Sequence, residues 1–427
     1  MTRVFCKVLN FTKYNHTTAR IITSNAFFLQ NPIYYKGIIE VFRVLCIIIE
    51  KKVVSLQPQI TKKKLQFMKK QLFTIAFLMM TLMATAADKH VKANDKAISF
   101  IGRTETLADG SVRYDWVGTY LRTKFNGGKI GVTASETGTS YYNVIVDGKV
   151  MKKIKITGNN PQNYLLADNL PKGEHELMLQ KCTEGEYGCT TIHSLYIDNN
   201  ATLSPVTPKK RLIEAYGDSY TCGYGTEGLT ASEKFKLETE NCNKAYIPIM
   251  ARYFDADYRI IAHSGNGMVR NWGDKKQKSE VNMSTRYTQL YDDFAKTPFN
   301  YSQRRPDIVT INLGTNDFSP TAIPEATKYV EAYIKMIETL SKKYDNVPIL
   351  CITPHSSTEY LRAAIQLLKE RTANRFPNLH FATTMNNILN DDVDLGSDWH
   401  PNYQGQLKIA MALIPQVSKI MHWRVKE

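Results

Sequence analysis

Four short polar clusters carry the residue types that acyl transfer needs. The first is Gly217-Asp218-Ser219, running on through Tyr220-Thr221-Cys222-Gly223-Tyr224-Gly225. A serine among glycines can present its hydroxyl to a cleft as a nucleophile, and its own N–H can donate to an oxyanion. The second, Ser264-Gly265-Asn266-Gly267, offers a backbone N–H that a ligand can approach closely, because no Cβ stands in the way. The third, Gly314-Thr315-Asn316-Asp317, supplies the Asn316 amide as a further oxyanion donor. The fourth, Asp398-Trp399-His400-Pro401, sets a histidine near a carboxylate and before a proline that fixes the turn, which suits a general base. Singly, each cluster reads equally well as a tight turn or a helix cap. Their joint occurrence, in this order, is what points to a nucleophile (Ser219), an oxyanion hole (Ser219, Gly265, Asn316) and a base (His400).

The elements around them explain how such residues could meet. Apolar strand runs begin at Leu212, Arg259, Ile308, Pro348 and Leu379. Helical stretches from Pro324 to Lys343 and from Tyr360 to Arg375 carry apolar residues at three- and four-residue spacings. Strands alternating with helices imply a parallel sheet covered on both faces, with function gathered beyond the carboxyl ends of the strands. Each cluster falls just past a strand or before the final helix. Upstream, from Ala97 to about Leu203, the pattern is short and alternating, with Asp147-Gly148 as a two-residue hairpin turn. The expectation is a β-sandwich or jelly-roll domain over 97–203, a linker at Pro205 and Pro208, and an α/β domain over 210–424 with three α/β/α layers.

The formal charge of +15 would suggest an anionic partner, but its location excludes that reading. Residues 1–86 hold thirteen Lys or Arg against two Glu, which leaves only about +4 beyond them. Met68-Lys69-Lys70, the apolar run Leu72–Met83 and Ala84-Thr85-Ala86-Ala87 have the three-part form of a secretory leader. Residues 68–86 are therefore expected to be a signal peptide, Met68 the true start, and residues 1–67 an upstream misreading of the frame. The expected protein is secreted or periplasmic, monomeric, and free of nucleic acid or membrane partners once the leader is cleaved. Export permits disulfides. Cys182 and Cys189 flank what reads as a hairpin turn and could staple it; Cys222 with Cys242 is a weaker second pair, and Cys351 reads as a buried thiol.

The four clusters resemble those of the SGNH (GDSL-type) hydrolase superfamily, with Ser219, Gly265, Asn316 and His400 at the four defining positions over roughly 210–422. The longer strings Gly-Asp-Ser-Tyr-Thr-Cys-Gly-Tyr-Gly, Ser-Gly-Asn-Gly-Met-Val-Arg-Asn and Gly-Thr-Asn-Asp-Phe-Ser are similar to carbohydrate esterase family 2. The resemblance implies a β-sandwich ahead of the hydrolase domain, and removal of acetyl groups from plant cell-wall polysaccharides such as xylan and glucomannan, with no metal or organic cofactor. One position departs from the superfamily: an Asp usually stands three residues before the histidine, where this chain has Ser397. Either Asp398 reaches the imidazole from its nearer offset, which is the reading favoured here, or a backbone carbonyl orients the ring. Tyr220, Phe318 and Trp399 are candidates to stack on a sugar. The alternatives are another small-acyl or lipid esterase on the same scaffold, or a carbohydrate-binding protein whose hydrolase site is dead.

Overall fold

The computed structural model describes residues 88–424, apart from 356, 384 and 386, together with the isolated positions 67 and 71. The proposed start at Met68 and all of the leader except position 71 fall outside the described residues. Residues 88–424 belong to one compact unit.

Strands from Lys89 to Ser204 build two antiparallel six-stranded sheets. Alternation does the work: Val132, Ala134, Ile192 and Leu195 from one sheet meet Leu121, Val144, Leu177 and Leu179 from the other in a single buried core. Asp147 and Gly148 both adopt positive φ, 51° and 76°, between strands Thr139–Val146 and Lys149–Thr157. This is the conformation a two-residue hairpin requires. One strand, Lys89–Lys92, lies earlier than the alternating pattern suggested and pairs with Thr190–Ile197.

The second part is a five-stranded parallel sheet in the order Ala256–Ala262, Arg211–Gly217, Ile308–Asn312, Ile349–Cys351, Leu379–Phe381. Helices Tyr246–Tyr253 and Tyr403–Met421 contribute to the core on one face, and Ala326–Lys343 and Glu359–Thr372 to that on the other. The order reverses at the Arg211–Gly217 strand, which lies between the second and third strands in sequence. A crevice opens at such a switch point beyond the carboxyl ends. Ser219, Gly265 and Asn316 follow the three strands that meet there.

The expected Cys182–Cys189 staple does not form, and all five described cysteines are free and buried. Cys182 follows a strand of one antiparallel sheet and Cys189 precedes a strand of the other, so the connection crosses between sheets instead of closing a hairpin. The thiols bond elsewhere, Cys182 to the Gln180 carbonyl and Cys189 to the Tyr114 carbonyl. Cys351 is a buried thiol, and burial pushes it up to about 12.

Candidate active site

The nucleophile turn is built by close approach. At Gly217 a Cβ would lie 2.0 Å from the Thr221 hydroxyl oxygen, so only glycine lets the strand run straight into the turn Ser219–Cys222. Asp218 caps that turn by accepting from the Tyr220 N–H at 3.2 Å. Burial pushes the Asp218 carboxyl up to about 7. From the far end of the domain, Gln406 donates to the Tyr220 carbonyl at 2.9 Å and accepts from the Tyr246 N–H at 3.0 Å, tying the last helix to the turn.

His400 Nε2 lies 2.9 Å from Ser219 Oγ. Its Nδ1 lies 2.8 Å from the backbone carbonyl of Asp398. A carbonyl can only accept, so Nδ1 carries the proton and Nε2 presents a lone pair to the serine hydroxyl. The local backbone explains this unusual partner. Leu395–Gly396 and His400–Pro401 pair as a two-strand ribbon, and both Asp398 and Trp399 take left-handed φ, 49° and 62°. Such conformations cost on the order of 1–3 kcal/mol each and persist where surroundings impose them. Here the Asp398 N–H donates to the Glu233 carbonyl at 2.8 Å and the Trp399 N–H to the Ala231 carbonyl at 2.9 Å.

The Asp398 carboxylate is therefore not the partner of the imidazole, contrary to the favoured sequence reading. It accepts from the Phe235 N–H at 2.9 Å and from Lys234 Nζ at 3.1 Å, bonds that hold it below the usual carboxylate range. Two residues is too short an offset once the hairpin has turned the carbonyl inward. Burial lowers His400 from its ordinary value, opposed by the Asp398 carbonyl. Tyr224 packs at 4.5 Å between ring centroids and Tyr220 stands edge-on at 5.6 Å.

The oxyanion candidates are braced against each other. Gly265 has φ +72° and nothing within 4 Å of where a Cβ would stand, so its peptide borders open space. Asn316 donates to the Asn266 carbonyl at 2.9 Å and contacts Asp218 at a long 3.4 Å. Asp317, the next residue, accepts from the N–H groups of Met268, Val269 and Arg270 at 2.8, 2.7 and 3.0 Å. Those bonds pull against the burial that raises Asp317 to about 6. The fully buried Arg270 returns the contact, donating to the carbonyls of Asn316, Asp317 and Ser319. Both residues stand inside the quoted sequence strings, but as side chains pointing inward they gave no sign of this role.

Of the three proposed sugar-stacking residues, only Trp399 is exposed, at 61%. Phe318 is core, packed edge-on against Tyr329. Tyr220 is buried between His400 and His355, stacking on the latter at 5.2 Å. Sequence reasoning missed Tyr224, which stacks at 3.8 Å on Phe235, and Trp272, which is 70% exposed and anchored by its N–H on the Gly265 carbonyl at 2.8 Å. It also missed His355, whose buried Nδ1 has no hydrogen-bond partner among the described residues and whose imidazole burial lowers to about 4.

Among the described residues, Glu184, Cys222 and Glu240 are close enough together to hold a metal ion, their ligand atoms lying within 4.8 Å of one another. Burial holds Glu240 and Cys222 towards their neutral forms, whereas at Glu184 the His263 charge and the Ser264 hydrogen bonds oppose burial, and both of its oxygens already accept from Ser264. This set fits a carboxylic acid and thiol beside one carboxylate better than a cation cage.

A serine, a histidine with its lone pair on that serine, and donors on neighbouring strand ends define an ester hydrolase of the SGNH superfamily. Residues 100–206 match the carbohydrate esterase 2 N-terminal family and 215–408 the GDSL-like lipase/acylhydrolase family. An acetylxylan esterase / glucomannan deacetylase of Cellvibrio japonicus is 30% identical over 325 residues, 72% of this chain and 86% of the relative. The cellulase/esterase CelE of Acetivibrio thermocellus is 28% identical over 333 residues, 77% of this chain but only 40% of its own length. A family two carbohydrate esterase from Clostridium thermocellum, solved in complex with cellohexaose, is 26% identical, with a TM-score of 0.71 over 77% of this chain and 100% of that one. The chain belongs to the family 2 carbohydrate esterases.

Proposed function

We propose that this esterase removes O-acetyl groups from plant cell-wall polysaccharide of the xylan or glucomannan type through an acetyl-enzyme. The observation that carries the chemistry is the 2.9 Å contact between Ser219 Oγ and a His400 Nε2 whose lone pair is fixed by the Asp398 carbonyl. His400 takes the hydroxyl proton as Ser219 attacks the acetyl carbonyl. The Ser219 N–H, the Gly265 N–H and the Asn316 amide receive the developing oxyanion. As the tetrahedral intermediate collapses, His400 gives the proton to the departing sugar oxygen, which leaves as a hydroxyl, and a water repeats the sequence to release acetate and restore Ser219. A backbone carbonyl thus takes over one task of the carboxylate in a triad, holding the ring in one tautomer.

The substrate reading is supported by the acetylxylan esterase / glucomannan deacetylase identity of the Cellvibrio relatives and by the exposed Trp399 and Trp272 near the base and the oxyanion donor. A flat indole next to the reacting groups suits a pyranose face. Among the described residues no helix is long and apolar enough to cross a membrane. Export rests on the leader at Met68; Edman sequencing of the protein from its native host should begin near Ala87, and a mature terminus within 1–67 would refute it. The substrate test is acetate release from acetylated xylan, glucomannan and pectin, beside 4-nitrophenyl acetate, butyrate and octanoate. We expect release from xylan or glucomannan and a preference for acetate. A preference for octanoate would assign a lipid esterase, and no hydrolysis of any ester would leave a carbohydrate binder.

A further inference from the structure

We propose that Glu184, a residue of the antiparallel-sheet domain, is a positioning residue for the oxyanion hole, acting through Ser264. This rests on the esterase reading above and concerns how its catalytic geometry is held. Glu184 lies in the connection that passes from one antiparallel sheet to the other, and it is fully buried. One carboxylate oxygen accepts from the Ser264 N–H at 2.5 Å and the other from the Ser264 hydroxyl. Backbone and side chain of the residue before Gly265 are therefore fixed by a single group 80 positions away in sequence.

The peptide that Ser264 shares with Gly265 carries the Gly265 N–H. Gly265 has no Cβ and open space where one would be, so no side chain of its own steadies that peptide plane, and the one bond closing the turn across it runs from the Asn266 N–H to the His263 carbonyl at 3.2 Å. The constraint comes from either side. Downstream, the Trp272 N–H holds the Gly265 carbonyl, and Asp317 holds residues 268–270. Upstream, the hold is Glu184. An oxyanion donor displaced by a fraction of an ångström loses much of its value, because the interaction is directional and the site must be preorganised.

Glu184 is itself rigidly mounted. Buried Lys181 donates to the Thr183 and Glu184 carbonyls at 2.9 and 3.1 Å, and the Gly185 N–H donates to Asp292 at 3.3 Å. Behind it stand Glu240, pushed towards its neutral form by burial and by the nearby Glu184 charge, and Cys222, from the turn that carries Ser219. The β domain, the nucleophile turn and the oxyanion loop meet at this one carboxylate.

The test uses the full chain with 4-nitrophenyl acetate, and reads kcat, KM, inhibition by phenylboronic acid and melting temperature for Glu184→Gln, Ser264→Ala and Ser264→Thr. Boronate forms a tetrahedral adduct on the serine and so reports the hole. We expect Glu184→Gln and Ser264→Ala to lower kcat about 10- to 100-fold with KM within about twofold, and to weaken boronate by a matching factor. Ser264→Thr, which keeps the hydroxyl, should recover most of kcat. Unchanged kcat with a lowered melting temperature, or a fall in kcat with boronate affinity intact, overturns the proposal. If Glu184→Gln does not fold, the Ser264 pair decides alone. An inactive wild type would instead overturn the esterase reading, whereas an active wild type matched by its variants removes only the role of Glu184.

Discussion

Two histidines beyond the carboxyl ends of the parallel sheet, His263 buried and His400 half-buried, have opposite partners. His263 Nδ1 meets both oxygens of the Asp292 carboxylate at 3.0 Å, while His400 Nδ1 meets only the Asp398 carbonyl at 2.8 Å. Burial would lower both imidazoles. At His263 the Asp292 and Glu184 charges outweigh it and raise the group to about 9; at His400 burial prevails and the group is lowered. The first is held towards its cationic form at neutral pH, between Asp292 and the Glu184 and Glu186 carboxyls of the antiparallel-sheet domain. The second is neutral at physiological pH, which a general base must be. Replacing a carboxylate by a carbonyl keeps the orientation and tautomer while forgoing the charge that would hold a proton on the ring.

The largest effect that would break this contrast is loss of the reacting pair. Ser219→Ala and His400→Ala should each lower kcat for an acetyl ester by about 10⁴- to 10⁶-fold, read as initial rates, with little change in melting temperature. Asn316→Ala should cost about 10²- to 10³-fold in kcat, the usual loss for one oxyanion donor. Equal activity of Asn316→Ala and wild type would remove it from the hole.

The two imidazoles should also separate by pH. Protonated His400 cannot accept from Ser219, so kcat/KM should fall as pH drops through a midpoint below the ordinary 6.5 of histidine. A midpoint above 7 would mean that a carboxylate governs the ring. His263 has its folded value raised, so its contribution to stability is fully present below about 6.5 and is lost as pH rises through about 9. The gap in urea midpoint between wild type and His263→Gln should therefore be wider at pH 6 than at pH 10. A gap that does not narrow would show that His263 acts by packing alone.

Much of this was legible in the chain itself. Periodicity placed the five parallel strands within a few residues of where they lie, and residue type and order singled out Ser219 and His400, which lie 2.9 Å apart, together with Gly265 and Asn316 as the proposed oxyanion donors, because glycine-rich strand ends leave a plain mark in sequence. What was not legible is direction. Whether Asp398 offers His400 its carboxylate or its carbonyl depends on two left-handed residues and on bonds to the 231–235 segment, none of which has a local pattern. The misjudged cysteines failed for the same reason: a seven-residue spacing does not say that the chain changes sheets between them. Phe318 read as a sugar platform because it follows Asn316, yet it turns into the core. Glu184 was invisible because its partner, Ser264, is 80 positions distant.

The smallest predicted effect is the most direct test of the carbonyl-oriented base. Asp398→Asn removes the charge, keeps an acceptor for the Phe235 N–H, and retains a residue type that tolerates φ near 49°. Its kcat/KM for 4-nitrophenyl acetate should stay within about threefold of wild type, since the carbonyl at His400 Nδ1 is untouched. A fall of about 10⁴-fold, the loss seen when a triad carboxylate is neutralised, would contradict the account and return the Asp398 side chain to the site.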